Sequence, residues 1–120
     1  MVQLASKIVD PAAAAIDRGH LARMTLGDRK LEREVLQLFD RQAELLLTRM
    51  RDREPAAVAT LAHTLKGSAS SIGATGVMRA AAAVELAAST SERDLALGQL
   101  AAAIDEARAT IAELLGALEG

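Results

Sequence analysis

The chain has 120 residues, which suits one domain. Its formal net charge is −2, from 14 basic and 16 acidic residues, which disfavours a nucleic-acid partner because such a partner would require a basic face. Cysteine is absent, so disulfides, thiolate chemistry and iron–sulfur clusters are excluded. The N-terminus does not resemble a secretory signal and no run approaches the roughly 18 apolar residues of a membrane span, so we expect a cytoplasmic protein without a membrane partner.

Hydrophobic residues make up 51% of the chain, much of it alanine and leucine, and Phe39 is the only aromatic residue. This composition favours helices, because alanine and leucine are the best helix formers and β-branched residues are sparse. No segment alternates apolar and polar residues, so no strand is predicted. Breaks in the pattern predict five helices, within residues 11–25 and at about 28–52, 55–72, 75–89 and 91–118.

Short polar signals mark the predicted helix boundaries. The dipeptide Gly27–Asp28 is typical of a break followed by an N-cap, and Pro55 fits the first turn of a helix, where its missing N–H costs nothing. The segment 73–76 is bracketed by glycines and predicts a turn. Ser91, with Asp94 three residues later, resembles a capping box at the start of the last helix.

Apolar residues recur at helical spacing in the two longest predicted helices. In the second helix the residues of this pattern are Leu31, Val35, Leu38, Phe39, Leu45, Leu46 and Met50. In the fifth they are Leu95, Leu100, Ile104, Ala107, Ile111, Leu114 and Leu118. Short connections make sequential helices antiparallel neighbours. The predicted fold is therefore all-α, an antiparallel up-down four-helix bundle with a short additional N-terminal helix.

His63 stands opposite the apolar stripe of the third predicted helix. At about 100° per residue, Leu61, Leu65 and Ile72 lie on the opposite side of the helix, with Val58 close to them. Small residues lie within roughly 40° of the histidine on the outward face. They are Ala56, Ala59, Gly67 and Ser70. The pattern predicts an exposed imidazole in a flat surface of small side chains.

Two neighbours of His63 suggest an external partner. A glycine inside a helix costs about 1 kcal/mol relative to alanine, and nothing on the outward face requires glycine for core packing. Gly67 is therefore best explained by the close approach of a partner. Lys66, about 60° from the histidine, supplies a cation suited to an anion beside the ring.

Glu85 is a carboxylate in the otherwise apolar segment AAAAVELAAS. Antiparallel packing of the third and fourth helices would bring it beside His63. There it would fix the tautomer by accepting from one ring nitrogen and leave the other nitrogen as the nucleophile. The alternative is a solvated residue on an amphipathic helix. His20, beside Gly19 and without a ring of small residues, is expected to be structural or solvated.

The segment AHTLKGSASSIGA, residues 62–74, resembles the signature of histidine-containing phosphotransfer (HPt) domains. The shared pattern is a histidine, an apolar residue, lysine, glycine and small residues, and a closing apolar-Gly-Ala. In this chain these are His63, Leu65, Lys66, Gly67, Ser68, Ala69, Ile72, Gly73 and Ala74. The segment 24–39 also resembles the helix that precedes the histidine helix in the family. The resemblance implies one HPt-like helical bundle domain over residues 1–120.

The resemblance implies that His63 accepts a phosphoryl group from a receiver aspartyl phosphate or a kinase and passes it to another receiver aspartate. The implied partners are response-regulator receiver domains and a sensor (hybrid) histidine kinase. The chain itself needs no cofactor, because Mg²⁺ is expected in the partner receiver domain. It has no glycine-rich nucleotide loop, so we expect no ATP binding and no enzyme activity. We expect a monomer.

The same resemblance implies roles for the neighbours of His63. Lys66 would help to hold the phosphoryl oxygens, and Glu85 falls where family members place a polar residue that hydrogen-bonds the histidine ring. Receivers would dock over Gly67, with Ala59 and Ser70 in the docking surface. Several relay members carry glutamine at the Glu85 position and chemotaxis-kinase versions carry glutamate, so the class of the partner kinase stays open.

Two alternative functions stay open. A histidine-kinase dimerisation bundle also presents a histidine, but such domains usually continue HE-x-[RK]-x-P, whereas this chain has HTLKGS and can close a four-helix bundle alone. A helical scaffold or adaptor without independent phosphotransfer would make replacement of His63 silent. A zinc enzyme is disfavoured, because two histidines without cysteine do not provide the usual ligand set.

Overall fold

The computed structural model describes residues 15–51 and 53–119, and every regular element within them is an α-helix. Five helices follow one another along this part of the chain: α1 (Arg18–Met24), α2 (Arg29–Met50), α3 (Pro55–Ile72), α4 (Thr75–Leu86) and α5 (Thr90–Glu119). The all-α prediction is confirmed. Residues 11–14 of the first predicted helix lie outside the described residues.

None of these five helices combines the length with the apolar character that crossing a lipid bilayer requires.

Aspartate side chains start the first two helices. Asp17 accepts a hydrogen bond from the backbone N–H of His20 at 3.1 Å. Asp28 accepts from the backbone N–H groups of Lys30 and Leu31 at 2.9 and 3.1 Å. These bonds satisfy N–H groups that have no partner inside the first helical turn. Asp28 is thus the N-cap that the sequence predicts.

Gly73 ends α3 in a left-handed conformation, with a φ of +79° that favours glycine. Its carbonyl accepts from the backbone N–H of Asp17 at 2.8 Å, and a Cβ at this position would lie 2.9 Å from the Asp17 carbonyl oxygen. Gly73 is therefore required both by the turn and by the segment that packs against it. Because α4 begins at Thr75, Gly76 lies inside the helix and does not close the predicted turn.

The start of α5 corrects the predicted capping box. The backbone N–H of Glu92 donates to the Ser89 hydroxyl at 3.1 Å, and the Glu92 carboxylate accepts from the backbone N–H of Ala88 at 2.9 Å. The reciprocal pair is Ser89 with Glu92, two residues before the predicted Ser91–Asp94. The helix begins immediately after Ser89, so its first unpaired N–H groups lie earlier than the sequence pattern suggested.

The helices pack around a shared apolar core. Helix α2 contacts α3 and α5, α4 contacts the same two helices, and α1 packs against α3. Buried side chains come from all five helices and from the segment before α1. The largest fully buried hydrophobic side chains are Ile16, Leu21, Leu36, Met50, Val58, Leu65, Val77, Val84, Leu100, Ile104 and Ile111.

Helix α2 buries Phe39, Leu46 and Met50 of the predicted apolar pattern, whereas three other residues of that pattern are exposed. Leu31, Leu38 and Leu45 are 39%, 59% and 50% exposed. Apolar side chains occupy two adjoining stripes of this helix, and spacing alone does not decide which stripe packs inward. The buried stripe consists of Leu36, Phe39, Ala43, Leu46 and Met50.

Helices α5 and α3 each differ from the predicted core pattern at one residue. Leu95 is 66% exposed, because α5 enters the core at Ala96. In α3, Leu61 is only half-buried and its neighbour Ala62 is completely buried. The buried stripe of α3 is therefore rotated slightly from the predicted one, by less than one residue position.

Candidate functional site

His63 lies in the middle of α3 on its outward face. Its side chain is 68% exposed, whereas Ala62 and Leu65 on the same helix are completely buried. The structure thus places the imidazole outward, as the helical pattern predicts. Exposure alone gives the ring access to a partner, and the orientation of the ring depends on what holds it.

Glu85 reaches His63 from the neighbouring helix α4. Its Oε2 atom lies 2.8 Å from Nδ1 of His63. The turn at Gly73 folds α4 back along α3, and both residues are the same number of positions from Ala74, so the short turn sets them opposite each other. The contact expected from the sequence is present. The solvated alternative does not hold, because the Glu85 side chain is only 25% exposed.

Lys66 holds the other oxygen of the same carboxylate. Its Nζ donates to Oε1 of Glu85 at 2.7 Å, and its side chain is 34% exposed. The hydrogen bond from Lys66, followed by the one from His63, holds the pKa of Glu85 below its ordinary value of 4.5. Glu85 is therefore ionised at neutral pH and bridges the ammonium and the imidazole.

The ionised carboxylate decides which ring nitrogen of His63 carries the proton. A carboxylate without a proton can only accept hydrogen bonds, so Nδ1 must donate to Oε2. In the neutral ring the lone pair is then on Nε2. No side chain or backbone group of residues 15–51 and 53–119 hydrogen-bonds Nε2. The exposed nitrogen is thus the one without a proton in the neutral ring.

Small residues surround the ring on the outward face of α3, as predicted. Gly67 and Ser70 are exposed and Ala59 is half-buried. The surface around the imidazole is therefore low and accessible to a partner on the side that Glu85 and Lys66 do not cover.

Gly67 has no packing role within the described chain. A Cβ at this position would meet no atom within 4 Å, and the same is true of Gly98 in α5. Open space at a helical glycine is thus not unusual in this protein. What distinguishes Gly67 is its place one turn after His63, so that added side-chain volume would stand beside the exposed ring.

His20 has a different environment. Its Nε2 lies 3.1 Å from the backbone carbonyl of Ser71, near the end of α3, and its backbone N–H is held by Asp17. The contact joins α1 to α3, which agrees with the expected structural role. Within the described ranges, no group of three or more histidine, aspartate or glutamate side chains is placed to hold a metal ion.

One feature beside the site is missing from the predicted site residues. A cleft of about 200 Å³ runs between α2 and α3. Its residues are Val35, Leu38, Phe39, Gln42, Ser68, Ser71 and Ile72. The Ser71 hydroxyl donates to the carbonyl of Gly67 at 3.1 Å, so the cleft begins next to the glycine. The seven-residue spacing of Leu31, Leu38 and Leu45 was the available signal for this second apolar stripe.

Comparison with known families places this geometry in context. The chain matches the family model described as Hpt domain over residues 29–119. The chain belongs to the Hpt domain family. Comparisons with curated proteins and with solved structures gave no match.

The Hpt domain match begins at the start of α2 and runs through α5, so α1 lies outside it. His63, Lys66, Gly67 and Glu85 all lie within the matched residues. The family resemblance expected from the sequence is confirmed. Membership implies a phosphotransfer role in phosphorelays and interaction with receiver domains.

Proposed function

We propose that the chain is a phosphoryl carrier of a two-component phosphorelay, which accepts the group on Nε2 of His63 and passes it to a receiver aspartate. The pairing of Nδ1 with Glu85 carries this proposal, because it leaves the lone pair on the exposed nitrogen. The donor is the aspartyl phosphate of a receiver domain or a sensor histidine kinase, including a hybrid one.

In the accepting step, the Nε2 lone pair forms a bond to the phosphorus of a receiver aspartyl phosphate. The P–O bond to the aspartate breaks, and its electron pair leaves with the carboxylate. The ring keeps its proton on Nδ1 and gains positive charge, which the ionised Glu85 stabilises at 2.8 Å. Transfer to the next receiver reverses these bond changes.

Phosphoryl transfer depends on positioning and charge neutralisation more than on covalent help from the protein. This explains why a helical chain without a nucleotide loop suffices. The Hpt domain supplies a nucleophile of fixed orientation, and the receiver supplies the acidic cluster with its Mg²⁺. The chain is thus a carrier and not an ATP-dependent enzyme.

Lys66 has two roles in this proposal. Its hydrogen bond to Oε1 of Glu85 positions the carboxylate against the His63 ring. Its charge, one helical turn from the acceptor, also favours the phosphoryl oxygens as they approach. Lys66 is therefore a positioning residue first, with an electrostatic contribution to the phosphorylated state.

Receivers dock over Gly67, with Ala59 and Ser70 in the contact surface. Glu85 and Lys66 occupy the α4 side of the ring, so the approach lies on the α2 side. There the exposed side chain of Leu38 and the cleft beside Gly67 offer apolar area without a partner in the described chain. Apolar area of this kind typically supplies the core of a protein interface.

The proposal includes one domain over residues 1–120 with an up-down bundle. Within the described residues, each of the four long helices contacts its neighbours in the chain and α2 contacts α5, which supports this arrangement. The four long helices bury their apolar faces against one another within one chain, so the domain acts as a monomer. Its partners place it in the cytoplasm.

The test is direct labelling. The purified chain is incubated with a panel of phosphorylated receiver domains, and the label on the chain is followed. We expect label that is stable in alkali and labile in acid, as phosphohistidine is, and fragmentation under alkaline conditions should place it on His63. A chain that takes up no label from any receiver or kinase contradicts the proposal.

A further inference from the structure

A second cleft, of about 460 Å³, lies between the end of α2 and the first turns of α3. Arg49, Arg53, Ala57, Thr60 and Leu61 line it. The arginines are exposed at its rim, and the alanine and the half-buried leucine form an apolar wall. None of these residues has a part in the phosphoryl chemistry proposed above.

Arg49 and Arg53 carry the positive charge of this cleft. Neither guanidinium forms an ion pair with any residue in 15–51 or 53–119. Arg108 shows the contrasting case, because it lies 2.8 Å from Asp40 and 3.2 Å from Glu44. Since arginine is always protonated, both guanidinium groups can donate charge-assisted hydrogen bonds to a partner.

The cleft is continuous with the face of the acceptor. Thr60 precedes His63 by three residues, so the two are surface neighbours about 4.5 Å apart along the helix axis. A specific protein interface covers about 800 Å² on each partner. A domain that places its reacting group over His63 from the α2 side therefore also covers the cleft.

We propose that this cleft binds an acidic segment of the docked receiver and determines which receivers exchange phosphoryl groups with the chain. The inference rests on the proposed function of His63. A receiver carboxylate lies between Arg49 and Arg53, whose planar guanidinium groups match its geometry. An adjacent apolar side chain of the receiver packs on Ala57 and Leu61. Charged groups at an interface rim govern the encounter rate and the choice of partner more than the final affinity.

The experiment compares two double variants of the full chain with the same change in net charge. The test pair is Arg49→Gln with Arg53→Gln. The control pair is Arg23→Gln with Arg29→Gln, exposed arginines of α1 and the start of α2, about 30 Å from the cleft along α2. Transfer from each phosphorylated receiver of the same genome is measured as KM and kcat, at low salt and at about 0.5 M salt.

We expect the test pair to raise KM about five- to tenfold for the receivers that serve the wild-type chain, with kcat nearly unchanged, because rim charges act on encounter. The rise should shrink at high salt, and the control pair should keep the wild-type KM. In NMR titrations with an unphosphorylated receiver, the amides of Ala57, Thr60 and Leu61 should shift in the wild type and much less in the test pair.

The outcomes separate this inference from the proposed function. If the wild type is labelled but KM is unchanged in the test pair, or rises equally in the control pair, the role of the cleft is overturned and that of His63 stands. If the wild type takes label from no receiver, the proposed function fails and the cleft proposal fails with it.

Discussion

The two histidines of the chain are held by different kinds of acceptor at opposite ring nitrogens. His63 has Nδ1 at 2.8 Å from the ionised carboxylate of Glu85. His20 has Nε2 at 3.1 Å from the backbone carbonyl of Ser71. Both contacts connect α3 to another helix, yet only the first leaves an exposed Nε2 with a lone pair and a negative charge behind the ring. A carbonyl accepts the same proton but gives much less stabilisation to a ring that becomes positive.

Under the proposed function, this difference explains how one residue type is reactive in one place and structural in another. At His63 the partner is a side chain that approaches from beside the helix, so the outer edge of the ring stays open. At His20 the hydrogen-bond partner of the ring is a backbone carbonyl near the end of α3, so the ring connects α1 to α3. The proposed acceptor therefore rests on the environment of the imidazole more than on its presence.

The largest expected effect comes from exchanging each histidine in turn. His63→Gln should abolish labelling by phosphorylated receivers, because the nucleophilic nitrogen is lost. His20→Gln should keep transfer and lose about 1 kcal/mol of stability in chemical denaturation, the typical contribution of one hydrogen bond. Label on His20, or full transfer by His63→Gln, would reverse the assignment of the two rings.

The next effect concerns access to the exposed ring. Gly67→Gln should slow transfer about 100-fold, since small displacements of reacting groups have effects of this size. Gly98→Gln is the matched control, because a Cβ there also meets no atom within 4 Å. Both changes favour helix formation, so circular dichroism should show intact folds. Wild-type transfer by Gly67→Gln would remove the argument for close approach.

Glu85 variants make the environment of His63 more like that of His20. Glu85→Gln keeps an acceptor for Nδ1 but replaces the carboxylate by a neutral amide, and Glu85→Ala removes the acceptor. We expect transfer to slow about tenfold in the first and up to about 100-fold in the second. Glu113→Gln, at an exposed position of α5, is the control for loss of one negative charge. Equal rates in all four proteins would reduce Glu85 to a structural acid.

Lys66 should have a smaller effect, because it acts mainly through Glu85. Lys66→Ala should slow transfer about two- to fivefold, and Lys66→Arg should restore part of the rate, since the charge remains while the geometry changes. Lys30→Ala, on α2, controls for loss of a lysine charge. The observation that would remove this role is a wild-type rate in both Lys66 variants.

The smallest expected effect is on the pH dependence of stability. The hydrogen bond from Lys66, and then that from His63, lower the pKa of Glu85 in the folded chain. The contribution of Glu85 to folding stability is therefore present above pH 4.5 and is lost as the pH falls through the lowered pKa of the folded state. The denaturation midpoint of the wild type should exceed that of Glu85→Gln at neutral pH, and the gap should close in acid. A gap independent of pH would contradict the lowered pKa.

Much of the fold follows from local signals in the sequence. Asp28, Pro55 and Gly73 mark helix ends through chemistry that belongs to those residues, so their positions are correct to a residue or two. The capping pair of α5 lies two residues before the predicted one, and Ser89 with Glu92 also matches the S-x-x-E pattern of a capping box better than Ser91 with Asp94 does.

The functional site, like the fold, could be predicted from the sequence only in part. The pairing of His63 with Glu85 could be predicted, because a short turn fixes which residues of a helical hairpin face each other. The cleft at Leu38 and the one at Arg49 could not, because each is made by α2 and α3 together and depends on the rotation of α2 about its axis. Its two apolar stripes leave that rotation undetermined by the sequence alone.

The turn at Gly73 also makes the site sensitive to insertions in the chain. Its left-handed backbone and its contact with Asp17 fix the number of residues between His63 and Glu85. One inserted residue would rotate the far partner by about 100° and uncouple the pair, with both helices still intact. Residues 55–86 therefore hold both members of the pair in one contiguous segment. Recombination that moved this segment into another bundle would carry the His63–Glu85 pair with it.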